Sequence, residues 1–176
     1  PKNHIRHILP SSSMKEIIMH KKNSRPLDTI DLAILAALYE DARTTNKDIA
    51  KRVGLAPSSC LERIKRLQTE HIIQGASLQV DLNALGGHIQ AMISIRLSDH
   101  NRLAVDEFVA ELLPLPEVLS VFHMGGNIDF LLHVTVTDSS HLRDFVFDQL
   151  TARPEVNHVE SALVYEHRSS QQLPQF

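Results

Sequence analysis

A chain of 176 residues with 43% apolar content and a formal charge of −3 is long enough for one ordinary domain or two small ones, which excludes a disordered polyelectrolyte. No apolar run approaches the roughly 18 residues of a membrane span, and the N-terminus lacks the apolar stretch of a signal peptide, so a cytoplasmic protein without a membrane partner is expected. The single cysteine, Cys60, excludes an intramolecular disulfide and a multi-cysteine zinc site, and none of the eleven histidines forms an H-x-x-x-H pair, so no metal and no cofactor are expected.

Charge is distributed unevenly. Residues 43–66 carry seven Lys or Arg against Asp48 and Glu62, a local +5, while residues 99–167 carry three arginines against twelve acids, a local −9. Two domains with different partners are the simple reading.

The first 26 residues mix Pro, Ser, His and Lys without a sustained period and read as a flexible tail, with Met14 an alternative natural start after vector-derived residues. Helical grammar begins at "LDTIDLAILAALYEDAR". Asp28 is the expected cap with Asp31 at N3, Leu27 the expected staple onto Leu32, and Ile30, Ile34 and Leu38 the buried stripe. A second helix starts at the Thr45 cap, buries Ile49, Ala50 and Val53, and stops at Gly54, a residue suited to a left-handed C-cap. The third opens with Pro57, favoured at the first helical position, and is expected to bury Leu61, Ile64 and Leu67 with Cys60 alongside. "HIIQGASLQVDLNALGG" then reads as a strand, a Gly75 turn and a second strand, ending in a Gly86-Gly87 break.

From His88 the period becomes two, with Ile89, Ala91, Ile93, Ile95 and Leu97 on one face. A helix over 101–112 follows, then strands in "EVLSVFHM" and "NIDFLLHVTVT" around Gly125-Gly126, a helix in "SSHLRDFVFDQLT" and a last strand in "HVESALVYEH". The order β-α-β-β-α-β is the ferredoxin-like arrangement, with two helices on one sheet face and the other face in need of a partner. The expected segments are a tail at 1–26, a winged helix-turn-helix at 27–77, a hinge at 78–87, the ferredoxin-like βαββαβ domain at 88–167 and a C-terminal tail at 168–176.

The tight Gly54-Leu55-Ala56 turn between two short helices is a helix-turn-helix pattern, which places its second helix in the DNA major groove. Lys47, Lys51, Arg52, Arg63, Lys65 and Arg66 are then positioned to neutralise phosphates, and Ser58, Ser59 and Arg63 to meet bases; Thr45, Pro57 and Glu62 complete the expected DNA-binding set. A merely solvated charged face is the alternative, which the cap at Thr45, Gly54, Pro57 and the trailing hairpin disfavour.

"LDTIDLAILAALYEDARTTNKDIAKRVGLAPSSCLERIKRL", followed by "IIQGASLQVDLNALG" and "PEVLSVFHMGGNIDFLLHVTVTD", resembles the leucine-responsive/asparagine-regulator (Lrp/AsnC, feast/famine) family of transcription factors over residues 27 to about 173. The resemblance implies a winged helix-turn-helix on a dimerising, amino-acid-sensing domain, double-stranded DNA as partner, and homodimers that assemble into tetramers or octamers. It also implies an amino-acid effector bound between dimers at a Gly-x-x-Asp turn and the last strand. Here "GGNID" supplies Gly126 and Asp129, with Met124, Gly125 and Asn127 around them, and Ser161 stands where relatives often carry Thr. Asp129 suits an ammonium, and backbone N–H groups freed by the glycines suit a carboxylate. Ala56 replaces the usual Ser or Thr cap, a loss of about 1 kcal/mol.

Two other classes compete: a small dimeric α+β-barrel enzyme, and a stand-alone amino-acid-binding regulatory subunit. No convergent acid, base or metal constellation stands out in 88–167, so no catalytic residue is assigned. His123 and His133 read as polar strand positions or as half of a metal site, and Cys60 as a packed thiol or an oxidation sensor.

Overall fold

The computed structural model describes residues 25–98 and 102–174, so the tail expected over 1–26 lies, up to residue 24, outside the described residues. These residues form two compact units, the first reaching Ser77 and including the segment from Ser169, the second running from Leu78 to Arg168. The C-terminal stretch expected as a separate tail therefore groups with the first unit.

Three helices build that unit: α1 (Thr29–Glu40), α2 (Asn46–Val53) and α3 (Pro57–Thr69). Each begins where its local chemistry directs. Asp28 and Asp31 exchange side-chain and backbone hydrogen bonds in a capping box at α1, and the Asp48 N–H donates to Thr45 Oγ1 at α2. Gly54 ends α2 at φ 70°, a left-handed conformation that costs glycine little. Ile34, Ala37, Ile49, Ala50, Cys60 and Leu67 make the core.

Two expectations need correction. Leu61 is 41% exposed and Cys60 is fully buried, so the buried face of α3 runs through Cys60, Ile64 and Leu67, which lie within about 60° of one direction on a 3.6-residue helix. The hairpin expected between Ile72 and Leu82 is also not formed: this stretch contains no strand, and Leu78 and Val80 point outward at 72% and 49% exposure. Alternation alone cannot make a strand without a neighbour to complete its hydrogen bonds.

The second unit follows the expected order. After a 3₁₀ turn (Asn83–Leu85) come β1 (Ile89–Leu97), α4 (Arg102–Leu112), β2 (Val118–His123), β3 (Phe130–Val136), α5 (Ser139–Phe145) with a π-helical continuation (Val146–Thr151), and β4 (Val156–Val164). The antiparallel sheet has the order β2-β3-β1-β4, which places the two most apolar strands at its centre. Ala91, Ile93, Ile95 and Leu97 of β1 and Phe130, Leu132 and Val134 of β3 face Phe108 and Leu112 of α4 and Phe145 and Leu150 beyond it. Among the described residues no helix of this unit packs on the opposite sheet face. That face carries Gln90, Met92 and Ser94 paired across to Thr135, His133 and Leu131.

His123 and His133 do not face each other. Phe130 stands opposite His123 and Ser120 opposite His133, because an unbroken register from the turn through Ser120 keeps the two histidines three positions apart. His133 instead lies 3.0 Å by Nε2 from Gln90 Oε1, burial pushes its pKa down, and among the described residues no three potential ligands group around a metal position.

Gly87 marks a close approach. A Cβ there would lie 2.3 Å from Thr135 Oγ1 and 3.2 Å from the Leu82 carbonyl oxygen. Gly87→Ala is expected to destabilise by about 1–3 kcal/mol through overpacking, and Thr135→Ala should recover part of the loss in a thermal melt.

Candidate nucleic-acid interface and effector turn

The second and third helices are set at a fixed angle by the Gly54 turn and by Asn46, whose Nδ2 donates to the Pro57 carbonyl at 2.9 Å. With Cys60, Ile64 and Leu67 inward, the opposite side of α3 presents Ser58, Glu62 and Lys65 at spacings of four and three, all exposed. Ser59, Pro57, Thr45, Lys47 and Lys51 are exposed as well. The N-terminus of α3 lacks a side-chain cap at Ala56, as expected from the residue there.

The arginines behave differently from the lysines. Arg52 donates to Glu40 at 2.8 Å on the surface. Arg63, only 23% exposed, donates through Nη1 to both Asp28 oxygens at 2.8 and 2.7 Å and to Asp31 Oδ1 at 2.8 Å. Arg66 donates to Asp31 Oδ2 at 2.6 Å, with Glu70 3.9 Å from its Nε. Asp31 itself is completely buried, the one buried charged residue among those described. Two of the three arginines assigned to DNA by sequence, Arg63 and Arg66, are thus held against the start of α1.

The acids respond accordingly. The Arg63 hydrogen bond, with the Asp31 amide, holds the Asp28 carboxyl down at about 2. Burial would raise Asp31, but the Asp28 amide and the Arg63 and Arg66 guanidinium groups outweigh it and hold the carboxyl below the ordinary range. Burial pushes the Cys60 thiol up, which disfavours the thiolate an oxidation sensor needs. Sequence reasoning recognised Asp28 and Asp31 only as a cap; their partners lie 35 residues along the chain.

At the other candidate site, Met124 to Asp129 form the turn between β2 and β3. Hydrogen bonds at both ends of the turn fix it. The Met124 N–H donates to the Asp129 carbonyl at 2.8 Å, the Asp129 N–H to the Ile95 carbonyl at 2.9 Å, and the Leu97 N–H to Asp129 Oδ2 at 2.8 Å. Arg96 Nε donates to the Asn127 carbonyl at 2.9 Å. Gly126 adopts φ 137°, and neither Gly125 nor Gly126 has an atom within 4 Å of where a Cβ would sit, so the turn's backbone is open. Asp129 is thereby committed in part to closing the turn. Ser161 stands opposite Ile93 on β4, on the far side of β1 from β3, and one chain does not bring it to the turn.

Residues 27–74 match the family model for a winged helix-turn-helix DNA-binding domain, and residues 90–173 match that for the Lrp/AsnC ligand binding domain. The HTH-type transcriptional regulator AldR of Mycolicibacterium smegmatis is 40% identical over 144 residues, covering 82% of this chain and 84% of the relative. The Bkd operon transcriptional regulator of Pseudomonas aeruginosa is 36% identical over 136 residues, covering 77% and 89%. A transcriptional regulator from Neisseria meningitidis, solved as its complex with L-methionine, superposes with a TM-score of 0.77 at 32% identity over 85% of this chain and 97% of that one. No described helix is long and apolar enough to cross a membrane. A helix-turn-helix unit followed by an antiparallel α+β ligand-binding unit, in the order shared with these regulators, places the chain in the Lrp/AsnC family as a DNA-binding transcriptional regulator and not an enzyme.

Proposed function

We propose that the protein regulates transcription as a homodimer or a larger assembly, reading specific double-stranded DNA with α3 and responding to an amino acid held between dimers at the Met124–Asp129 turn. The exposed stripe Ser58, Glu62 and Lys65, opposite the buried face of α3, carries this reading together with the exposed Lys47 and Lys51 of α2, which make the set net positive. Residues 78–87 serve as the hinge between the units. A second copy is the natural cover for the helix-free sheet face, where Phe122 is 47% exposed beside Leu131. The L-methionine complex of the meningococcal relative supports an amino acid as effector.

Gel-shift titration against DNA upstream of the protein's own gene tests the first half. Binding should weaken steeply with salt as counterions are released, and Lys65→Ala should lower the log–log salt slope by about one while weakening all sequences alike. Binding that ignores salt, or that no DNA supports, rejects the proposal. Calorimetric titration with the twenty amino acids tests the second half, and heat from none of them removes the effector.

A further inference from the structure

Glu62 is the single carboxylate within α3, and it lies in the middle of the outward stripe, one turn beyond Ser58. Its natural helical partner is Arg66, four residues on, where a Glu-to-Arg pair would ordinarily form. Arg66 is turned the other way, onto Asp31 and Glu70, and Arg63 is held by Asp28 and Asp31. Among the described residues the Glu62 side chain has no hydrogen-bond or ion-pair partner.

An unpaired carboxylate is unfavourable on a surface that approaches phosphates, since it repels them and releases no counterion. In the major groove it gains only by accepting a hydrogen bond from an exocyclic amine, of which cytosine N4 is the characteristic partner. The place is right for such a contact, because the N-terminal half of a recognition helix is the part that meets base edges. Resting on the DNA-binding reading above, we infer that Glu62 is the base-reading residue of α3 and accepts from a cytosine amine, while Arg63 and Arg66 are positioning residues that fix the helix against α1.

Selection from a randomised DNA pool, with the full chain and its Glu62→Gln and Glu62→Ala variants, tests this directly. The wild type should select cytosine at one position of each half-site. Glutamine, which both donates and accepts, should move that position toward adenine. Alanine should lower the preference there by about tenfold, with binding to random DNA kept or strengthened. Glu62 is exposed, so both variants should melt with the wild type. Arg63→Gln should lower the melting temperature and leave the base preferences as they are. Unchanged selection by both Glu62 variants overturns the assignment, and so does a changed preference in Arg63→Gln. A wild type without salt-sensitive DNA binding removes the DNA reading itself, whereas a selective wild type with indifferent Glu62 variants removes only the role of Glu62.

Discussion

Replacing Asp31 with alanine is expected to destabilise the DNA-binding unit by about 3–5 kcal/mol, the range for breaking a buried ion pair while leaving its partners in place. The carboxylate is fully buried and accepts from Arg63 at 2.8 Å, from Arg66 at 2.6 Å and from the Asp28 amide at 3.2 Å. Without it, two half-buried guanidinium groups lose their shared counter-charge, and the α1 cap loses half of its box. Asp31→Asn should cost less, since shape is kept and only charge is lost. Replacing all three groups by apolar side chains, as Asp31→Leu/Arg63→Met/Arg66→Leu, should recover much of the loss, because no uncompensated charge then remains. Urea unfolding at pH 7 followed by circular dichroism measures each step. A midpoint for Asp31→Ala equal to that of the wild type would show the cluster to be energetically idle.

The same cluster sets an acid limit. Both carboxyls titrate lower when folded than when unfolded, Asp28 at about 2 against an ordinary 3.8, so folding binds fewer protons than the unfolded chain does in this range. Their contribution is complete above the ordinary carboxylate value and is lost as the pH falls toward about 2. Stability of this unit should be flat above about pH 5 and decline between about pH 4 and 2, a decline that the triple apolar variant largely lacks.

Local chemistry was legible in the sequence wherever one residue determines its own neighbourhood. Asp28, Thr45, Gly54 and Pro57 mark helix ends by mechanisms confined to a single turn, and the alternation of β1 declares its buried face without help from other elements. What the sequence hid depends on direction or on distant partners. Asp31 looked fully explained as the N3 member of a capping box, and nothing local shows that its carboxylate also faces α3. Arg63 and Arg66 read as cations available to DNA because charge is visible in a sequence and orientation is not. The buried line through Cys60, Ile64 and Leu67, taken instead of Leu61, would have turned both arginines toward α1. His123 and His133 are kept apart by the register of the β2–β3 pair, which sets Phe130 and Ser120 opposite them and which no single residue declares. The Met124–Asp129 turn was found through Gly125-Gly126 and the family resemblance together, whereas Arg96, which donates to its Asn127 carbonyl, lies in another strand and carried no motif.

Phe130→Ala is expected to cost the ligand-binding unit about 3–5 kcal/mol, the usual loss for truncating a fully buried phenylalanine. Its ring lies 5.1 Å from that of Phe108 in a tilted pair and 5.0 Å from that of His123 in a stacked one, so it joins α4, β2 and β3 at one end of the sheet. That end is also where the Met124–Asp129 turn is fastened to β1 through Ile95 and Leu97. Removing the ring therefore loosens the turn's anchorage as well as the core, and the amino-acid binding proposed at that turn should weaken even at temperatures where the variant remains folded. Phe122 provides the control, being eight residues away in sequence but on the helix-free sheet face and largely exposed. Phe122→Ala should leave the unfolding of a protomer nearly unchanged and instead make assembly more sensitive to protein concentration. Denaturant titrations at several protein concentrations separate the two. A concentration-independent loss belongs to Phe130, and a loss that deepens on dilution belongs to Phe122, because only the latter removes surface that a second copy would bury.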